Sequence, residues 1–547
     1  MKLFTPLLIL ISASCFGQFQ FISPLPNSTM NNVEHNIVIR EGSILNSSTV
    51  ESKLFTVNGS ISGTHRFKTV LARDGKTIIL TPENNFSFNE KVTVTIASGL
   101  KSETKKQIGQ YQFSFTTHRE YTEAEKENFR NAKQILLDNE KARNGISNED
   151  GGDEVEERNF TGGYMILKDS ASTPGQLFFD EWGSAGASKY DGYNILEPNG
   201  DSVYFSPNTS FCTDFDLNPN GYLSYFSYGF FAVLDSNYNN IDNYYAANGF
   251  GMDAHEFTMD VEGNAWFIAT DYEVFDMTVY DPSYCSNATI IYTVIQELDK
   301  DKNLIFEWNS KDHVDITEAP HENLAYCYID YMHTNSIDVD ADGNIITSNR
   351  HLDQIIKIDK NTGGFIWRLG GDSNQFTFIN EPEPFTYEHC ARELENGNII
   401  LWDNGDWHSP AHSMAKEYQL DLENKTATLV WSYQPLTYQY NKAYWWAMGS
   451  VQRLSNGNTM IGGGWDGSSS PQSNFYEVTP TGKVVWELEL NNTKNLVSYR
   501  VHKHSWNPCA PVNPAGIKVK KITSTSAKVV WDSVSNATSY DVQYRKA

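Results

Sequence analysis

The sequence predicts an all-β protein whose largest part is a β-propeller of about five or six blades. Aromatic residues make up 13% of the 547 residues, a composition that suits strand-rich proteins. Between residues 160 and 508 a glycine turn recurs at irregular intervals, and strands that close on tryptophan alternate with it. Repeats of roughly 40 to 60 residues with several strands each are typical of propeller blades. The turns lie at Gly221, Gly263, Gly343, Gly397 and Gly457, and the tryptophan strands end at Trp308, Trp367, Trp431 and Trp486.

The net charge limits the partners of the protein, and the N-terminal sequence predicts its location. The chain has 68 Asp and Glu residues against 42 Lys and Arg, for a formal net charge of -26. Nucleic acids and anionic membranes would repel such a chain, so we expect neither as a partner. Residues 1–17 have the pattern of a secretory signal peptide. No later stretch is apolar enough to cross a bilayer, which predicts an exported protein that is periplasmic, on the cell surface or secreted.

Three further segments surround the repeats. Residues 18–118 contain short β segments and resemble bacterial Ig-like β-sandwich domains. In residues 119–159, Thr122 and Glu125 form a capping box for a helix that we expect to pack on a domain edge, and an acidic linker follows. Residues 511–547 resemble the first strands of a fibronectin type III domain, which takes roughly 100 residues when complete.

Three repeat segments begin with a histidine and run as an alternating strand into an Xaa-Gly-Asn turn. The histidines are His255, His333 and His389. If the three segments are equivalent strands of a ring, symmetry brings all three imidazoles to the ring's axis. One such histidine alone would more simply fill the channel wall. Three in register with the same turn favour a functional site at the mouth of the channel.

Arg350 strengthens this prediction. It closes the strand that returns from the turn after His333, and a hairpin of this size brings the two residues close together. A buried guanidinium needs an anion. Without an obvious carboxylate beside it in the sequence, we expect Arg350 to bind an oxyanion. Strand alternation predicts that Asn335, two residues after His333, points to the same face.

Several phrases resemble the bacterial arylsulfate sulfotransferases (arylsulfotransferases, ASST). They are His333-Thr-Asn-Ser336, Ser348-Asn-Arg350-His351, Trp367-Arg-Leu-Gly-Gly371, Glu388-His389-Cys-Ala391 and Asp403-Asn-Gly405. The resemblance covers about residues 160–506 and is most specific between His333 and Gly405. Cys390 is a departure, because the family pattern usually has Asp there, and a neighbouring carboxylate commonly orients a nucleophile.

The resemblance implies a bacterial protein with a six-bladed propeller. The implied activity moves a sulfuryl group from a phenolic sulfate ester to another phenol through a sulfohistidine, independently of the nucleotide donor PAPS. The implied catalytic residues are His389, which carries the sulfate, with His255, His333 and Arg350, and the implied substrate-binding residues are Asn335 and Arg500. Neutral imidazole is a competent nucleophile near pH 7. No Gly-rich phosphate loop is present, and we expect no cofactor.

Other interpretations remain open. Three histidines and an acid could hold zinc or copper, but the Arg350 cation would repel such an ion, so we expect no metal. The segment from Asp338 to Asp342 matches the opening of a calcium loop, although a polar hairpin turn is favoured. Cys390 could be a thiolate nucleophile instead of its neighbour. The alternative function is a non-catalytic secreted propeller that binds glycan or protein at the cell surface. The sequence also allows a homodimer, and it fixes neither the natural phenols nor the disulfide pairing.

Overall fold

The structure, a computed structural model, describes residues 19–143, 163–183, 191–208, 213–436, 443–465, 474–491, 496–506, 518–520 and 528–531. By their internal contacts the residues form two compact units. The first extends to Glu120 and includes Asn303–Trp308 and Lys357–Trp367, and the second contains the remainder. The predicted signal peptide and acidic linker lie outside the described residues. No helix in the described ranges has the length and apolar character needed to cross a membrane.

Two four-stranded sheets dominate the first unit. Their strands are β1 (Phe21–Ser23), β2 (Ile37–Arg40), β3 (Phe55–Gly59), β4 (Gly63–His65), β5 (Phe67–Leu71), β6 (Thr77–Pro82), β7 (Lys91–Ile96) and β8 (Tyr111–Thr116). The strand orders are β1-β2-β6-β5 and β4-β3-β7-β8. Alternate residues of β7, namely Val92, Val94 and Ile96, are buried in a core that also contains Ile37 and Leu80 of the other sheet. Two sheets that share one core in this way have the pattern of a sandwich.

One α-helix, α1 (Glu123–Arg143), begins the second unit. The predicted capping box is confirmed. The backbone amide of Glu125 donates to the hydroxyl of Thr122, and the Glu125 carboxylate accepts from the Thr122 amide at 2.8 Å. This reciprocal pair satisfies two backbone donors at the helix start.

Short strands make up nearly all the remaining regular structure. In chain order they are β9 (Tyr164–Asp169), β10 (Gln176–Gly183), β11 (Gly192–Leu196), β12 (Ser202–Pro207), β13 (Asp216–Leu217), β14 (Leu223–Ser227), β15 (Phe230–Leu234), β16 (Asn240–Tyr244), β17 (Gly251–Met259), β18 (Ala265–Phe275), β19 (Ala288–Leu298), β20 (Leu304–Asn309), β21 (Tyr328–Asp330), β22 (Thr334–Val339), β23 (Ile345–Asn349), β24 (Gln354–Ile358), β25 (Phe365–Gly370), β26 (Thr377–Ile379), β27 (His389–Glu393), β28 (Ile399–Asp403), β29 (Met414–Asp421), β30 (Thr426–Tyr433), β31 (Ser450–Arg453), β32 (Thr459–Gly462), β33 (Phe475–Val478), β34 (Val484–Leu490), β35 (Leu496–Val497) and β36 (Val501–His504).

These strands form six sheets, which we number in chain order. Sheet 1 contains β36, β10, β11 and β12, with β35 also on β10. Sheet 2 contains β13 to β16, sheet 3 contains β17 to β20 with β21 on β19, and sheet 4 contains β22 to β25. Sheet 5 contains β27 to β30 with β26 on β30, and sheet 6 contains β31 to β34 with β9 on β34. Sheets 1 and 6 therefore each combine strands from both ends of the repeat region.

The predicted repeat signals occupy equivalent places in these sheets. A glycine turn joins the first and second strands of sheets 2 to 6, and its φ angle lies between 80° and 88° at Gly221, Gly263, Gly343, Gly397 and Gly457. Glycine adopts this left-handed conformation without steric cost. The tryptophan phrases form the fourth strands of sheets 3 to 6, at Trp308, Trp367, Trp431 and Trp486. The all-β architecture, with one α-helix among the described residues, is thus as predicted.

The calcium-like segment forms such a turn. The Asp340 carboxylate accepts from the backbone amides of Asp342 and Asn344 at 2.8 Å each. The Asp338 carboxylate accepts from the backbone amide of Glu393 at 2.7 Å. These contacts are those expected of the polar hairpin turn that the sequence favours.

The tail and the cysteines are described in part. β37 (Lys518–Lys520) and β38 (Lys528–Val530) pair antiparallel, and the fibronectin type III interpretation of residues 511–547 stays a prediction. Cys285 and Cys327 form a disulfide, whereas Cys390 is buried and not in a disulfide. The remaining two cysteines after the signal peptide, Cys212 and Cys509, lie outside the described residues.

Candidate active site

The second unit contains a cavity of about 580 Å³ that the three predicted histidines line together with Arg350. His255 lies on β17, His333 directly precedes β22, and His389 begins β27. These are the first strands of three consecutive sheets, so equivalent positions meet at one place, as the repeat argument requires. The ring centroids of His255 and His333 are 5.0 Å apart.

His389 is oriented by hydrogen bonds to both ring nitrogens. Its Nδ1 lies 2.7 Å from Oδ1 of Asn404 and 3.2 Å from the carbonyl oxygen of Tyr387. Its Nε2 accepts from the backbone amide of Met448 at 3.2 Å. This arrangement places the proton on Nδ1 and the lone pair on Nε2. Burial and then the charge of Arg350 lower the pKa of His389 well below its usual value, so the ring is neutral at pH 7.

The other two imidazoles each face a carboxylate. Nδ1 of His255 lies 2.5 Å from Asp253, and Nδ1 of His333 lies 2.7 Å from Asp330. A carboxylate on Nδ1 fixes the tautomer and leaves Nε2 for a substrate. Burial lowers the pKa of His255, and Asp253 opposes this shift. Burial raises the pKa of Asp330, but its interactions, first with His333, lower it to about 2.

Arg350 is buried at the cavity wall and has protein partners. Its guanidinium donates to the carbonyl oxygen of Trp446 at 2.8 Å and to the Asp406 carboxylate at 3.3 Å. The guanidinium carbon lies 4.3 Å from the centre of the Tyr387 ring. The expectation that no carboxylate lies beside Arg350 is therefore wrong, because Asp406 arrives from the loop after β28. The predicted proximity to His333 is confirmed, since the Arg350 amide donates to the His333 carbonyl at 3.2 Å.

Asn335 is not among the residues that line the cavity, and the alternation argument for it is wrong. The register of β22 against β23 shifts between Thr334 and Ser336, and such a bulge re-aims the residues beside it. Asn335 instead holds the backbone on both sides of His389. Its amide group donates to the carbonyl oxygen of Glu388 at 2.7 Å and accepts from the Cys390 amide at 3.2 Å.

Arg500 also lies behind the cavity wall rather than on it. Its guanidinium forms ion pairs of 2.8 Å with Asp214 and Glu256. It also donates to the carbonyl oxygen of Asn335 at 2.6 Å. Arg500 therefore supports Asn335, which in turn holds the strand of His389.

Cys390 does not line the cavity either. Its Sγ lies 3.8 Å from the carbonyl oxygen of Val451. Burial raises the pKa of the thiol, but Arg392, His502 and Arg500 lower it to about 6. The residue has a φ of 55°, and Tyr387 and His333 have similar left-handed angles of 54° and 50°. Backbone strain of this kind clusters at functional sites.

Helix α1 contributes a part of the site that sequence reasoning missed. The helix packs against β19 and β21, as a helix on a domain edge would. In addition, Lys133, Gln134 and Leu136 line the cavity. Nζ of Lys133 lies 2.5 Å from Oδ2 of Asp253, whose other oxygen faces His255. Burial lowers the pKa of Lys133, but Asp253 and other groups raise it above its usual value, so the residue is a fixed cation. A single lysine on a polar helix gives no sequence signal for this role.

His351 and several aromatic residues complete the wall. Nδ1 of His351 lies 2.5 Å from the carbonyl oxygen of Asp330, and its ring centroid is 4.5 Å from that of His333. The sequence placed His351 in a motif without giving it a role. The aromatic side chains that line the cavity are Trp182, Tyr292, Tyr326, Tyr328, Trp446, Trp465 and Tyr499, a surface that suits an aromatic ligand.

Replacing Lys133 tests the link from the helix to His255. In Lys133→Met, loss of the nearby cation should raise the pKa of His255, because Lys133 lowers it. For the transfer that the sequence resemblance implies, the acid limb of the pH–rate profile should therefore move to higher pH, with a rate loss of about tenfold, as for other supporting groups. Lys126→Met on the same helix, where Lys126 pairs with the exposed Glu123, is the control. An unchanged pH–rate profile in Lys133→Met would show that the helix does not influence the reaction through His255.

Comparison with known proteins decides the family. The family model described as Arylsulfotransferase (ASST) matches residues 187–500, more than half of the chain. The chain belongs to the arylsulfotransferase family. The matched range includes every histidine, arginine and asparagine that the sequence predicts for the site. The model of the bacterial Ig-like domain matches residues 18–117. No curated protein matches the chain.

Three solved structures resemble this arylsulfotransferase at low sequence identity. A protein of unknown function from Bacteroides caccae is 14% identical, with 60% of this chain and 99% of that chain covered and a TM-score of 0.39. A streptogramin B lyase is 10% identical over 65% of this chain and 91% of its own, with a TM-score of 0.31. A virginiamycin B lyase from Staphylococcus aureus is 9% identical over 65% and 92%, with a TM-score of 0.30.

Proposed function

We propose that this arylsulfotransferase moves a sulfuryl group from a phenolic sulfate ester to a second phenol through a sulfohistidine at His389, without a nucleotide donor. One observation carries the proposal. The neutral His389 imidazole lines the same cavity as Arg350 and two imidazoles held by carboxylates. A nucleophile, a cation for the sulfuryl oxygens and two groups able to carry a proton are therefore together.

In the first half-reaction, the lone pair on Nε2 of His389 attacks the sulfur of the donor ester. The N–S bond forms while the bond from sulfur to the phenolic oxygen breaks, and the phenolate leaves with the electron pair. The charge on the three equatorial oxygens resembles that of a transferred phosphoryl group. Arg350 stabilises these oxygens, and the phenolate takes a proton from solvent water.

In the second half-reaction, an acceptor phenol attacks the same sulfur from the site that the first phenol left. His255 or His333 accepts the phenolic proton through Nε2, because Nδ1 of each faces a carboxylate. The new S–O bond forms and the N–S bond breaks, which restores neutral His389. No oxidant, metal or nucleotide is needed, since the donor ester already carries the sulfuryl group.

The backbone around His389 also has a part in this proposal. The Met448 amide, which donates to Nε2 at 3.2 Å, must give up this contact when Nε2 bonds to sulfur, and it can then donate to a sulfuryl oxygen. Asn335 and Arg500 act as positioning residues, in contrast to the substrate contacts that the family resemblance implies. They hold the strand of His389 from behind the wall.

The proposed architecture has six blades, one for each of sheets 1 to 6. Strands β36 and β9, which come from opposite ends of the repeat region, close the ring through sheets 1 and 6. The proposed domain boundaries are those that the sequence predicts, with a signal peptide over residues 1–17 and a propeller over residues 160–508. Export then fits the Cys285–Cys327 disulfide, because such bonds persist in oxidising compartments.

The direct test is transfer from 4-nitrophenyl sulfate to a second phenol. We expect release of 4-nitrophenol to depend on the acceptor and to match the amount of acceptor sulfate formed. With donor alone, mass spectrometry should find one sulfuryl adduct, located on His389. Release of free sulfate without acceptor sulfation, or an adduct on another residue, would contradict the proposal.

Cys390→Ala separates the two candidate nucleophiles. Because Cys390 does not line the cavity, we expect the alanine variant to retain transfer within a few-fold of wild type and to form the same adduct. Its stability is expected to fall, since the thiol lies among Arg392, Arg500 and His502. Complete loss of transfer in a folded Cys390→Ala protein would favour the thiolate instead.

A further inference from the structure

A second group of histidines lies outside the cavity. One ligand atom each from Glu383, His408 and His412 lies within 4.8 Å of the others. Both histidine side chains are buried, whereas that of Glu383 is 41% exposed. Two imidazoles and a carboxylate are a donor set that zinc takes in proteins. At zinc bond lengths tetrahedral ligand atoms lie about 3.3 Å apart, so these three ligand atoms would move closer together to hold an ion.

The contacts within this group differ from those in the other histidine–carboxylate groups. In the group of Asp216, His502 and His504, the carboxylate is 2.6 Å from each ring and already bonds both. In the Glu383 group, Nε2 of His412 is 3.7 Å from the carboxylate, beyond a hydrogen bond. In this group the His412 imidazole and the Glu383 carboxylate therefore do not hydrogen-bond to each other.

Both imidazole rings of this group have one nitrogen close to a backbone carbonyl oxygen, as metal-bound histidines commonly do. Nδ1 of His412 lies 2.9 Å from the carbonyl oxygen of Pro410, which leaves the lone pair on Nε2. Nε2 of His408 lies 3.1 Å from the carbonyl oxygen of Pro384. Nδ1 of His408 is buried without a hydrogen-bond partner among the described residues. Donation of one ring N–H to a backbone carbonyl is the common outer support of a metal-bound histidine.

The surrounding charges favour a cation. Lys416 lies nearby, but its Nζ is 2.8 Å from Asp403 and 3.4 Å from Glu381. With Glu383 these groups supply three carboxylates against one ammonium, so a dication would meet a net negative environment.

The group sits on a loop that supports the cavity. In the loop from Asn404 to Ser413, Asn404 orients His389 and Asp406 holds Arg350. Trp407 stacks on His321, a residue of the cavity wall, at 4.0 Å. His408 and His412 follow in the same loop.

We propose that Glu383, His408 and His412 bind one Zn²⁺ ion, which fixes the loop that orients His389 and Arg350. The ion is structural, lies outside the cavity and takes no part in bond making, so the expected metal-free transfer chemistry is unaffected. The proposal does not depend on sulfuryl transfer, because binding and stability report on the ion directly.

The test uses the full chain after removal of metals with a chelator. Zn²⁺ is titrated in competition with a fluorescent chelator, and thermal unfolding is followed with and without the ion. We expect one Zn²⁺ per chain and a higher Tm when it is bound. His408→Gln/His412→Gln should lose the binding and the Tm increase.

Glu383→Gln keeps the test informative if the histidine variants fail to fold, because its side chain is partly exposed. We expect its affinity for Zn²⁺ to fall by at least about tenfold. His118→Gln, a histidine outside this group and the cavity, should bind as wild type does. Binding that survives in Glu383→Gln and His412→Gln but is lost in His333→Gln would place the ion in the cavity and overturn the proposal. Absence of Zn²⁺ binding by the wild-type chain at micromolar concentration would overturn it as well.

Discussion

His389→Ala is expected to abolish sulfuryl transfer between phenols. The variant lacks the Nε2 lone pair that forms the N–S bond in the proposed mechanism. In the wild-type protein, Asn404 on Nδ1 and the Met448 amide on Nε2 orient that lone pair. We expect a loss of at least about 10³-fold in kcat, since the covalent route is removed. The measurement is acceptor-dependent release of 4-nitrophenol from 4-nitrophenyl sulfate, together with mass spectrometry of the protein after exposure to donor alone.

The pH dependence of the wild-type protein belongs to the same prediction. Burial and Arg350 hold the pKa of His389 well below its ordinary value, so the nucleophile stays neutral as pH falls through the normal range of histidine titration. Loss of rate through protonation of His389 should begin only below about pH 6.5. His118→Ala, outside the site, is the matched control for His389→Ala. Intact transfer in a folded His389→Ala protein would remove the proposed nucleophile.

Arg350→Met is expected to lower kcat by about 10² to 10³-fold, the usual effect of removing one donor to a developing oxyanion. The change has a second expected effect. Because the Arg350 charge lowers the pKa of His389, the variant should raise it and move the acid limb of the pH–rate profile to higher pH. The profile distinguishes this role from general damage to the fold.

Arg453→Met is a suitable control for Arg350→Met. Arg453 forms an ion pair of 2.6 Å with Glu417 and lies over Trp431, but it does not line the cavity. Both substitutions remove a guanidinium held by a carboxylate and an aromatic ring. We expect only Arg350→Met to lose transfer and change the profile. Equal losses in the two variants, with the acid limb unmoved, would assign Arg350 a structural role.

The periodic features of the fold could be predicted from sequence, because they depend on local chemistry. A glycine turn needs a left-handed φ wherever the same hairpin occurs, as at Gly263, Gly343 and Gly397. Because the three strands share this turn, they occupy equivalent positions in their sheets. Their histidines therefore lie together in the cavity. The proximity of Arg350 to His333 could be predicted in the same way, from the lengths of two paired strands.

Other features depend on tertiary contacts that no local pattern contains. The register shift beside Asn335 reverses the outcome of simple alternation. Asp406 reaches Arg350 across 56 positions of the chain, and Lys133 reaches Asp253 across 120. The spacing of Asp253 and His255 is short enough to suggest a carboxylate–imidazole pair from sequence. The Lys133 cation beside Asp253 could not be predicted, because its position depends on where α1 packs.

Pairing of β36 with β10 sets an order of assembly for the cavity. Arg500 immediately precedes this strand, and it holds the Asn335 carbonyl that supports the His389 backbone. A nascent chain that stops short of Arg500 already contains His255, His333 and His389, but it lacks the guanidinium that holds the Asn335 carbonyl behind the His389 strand. We therefore expect the proposed transfer activity to appear only after β36 has paired with β10.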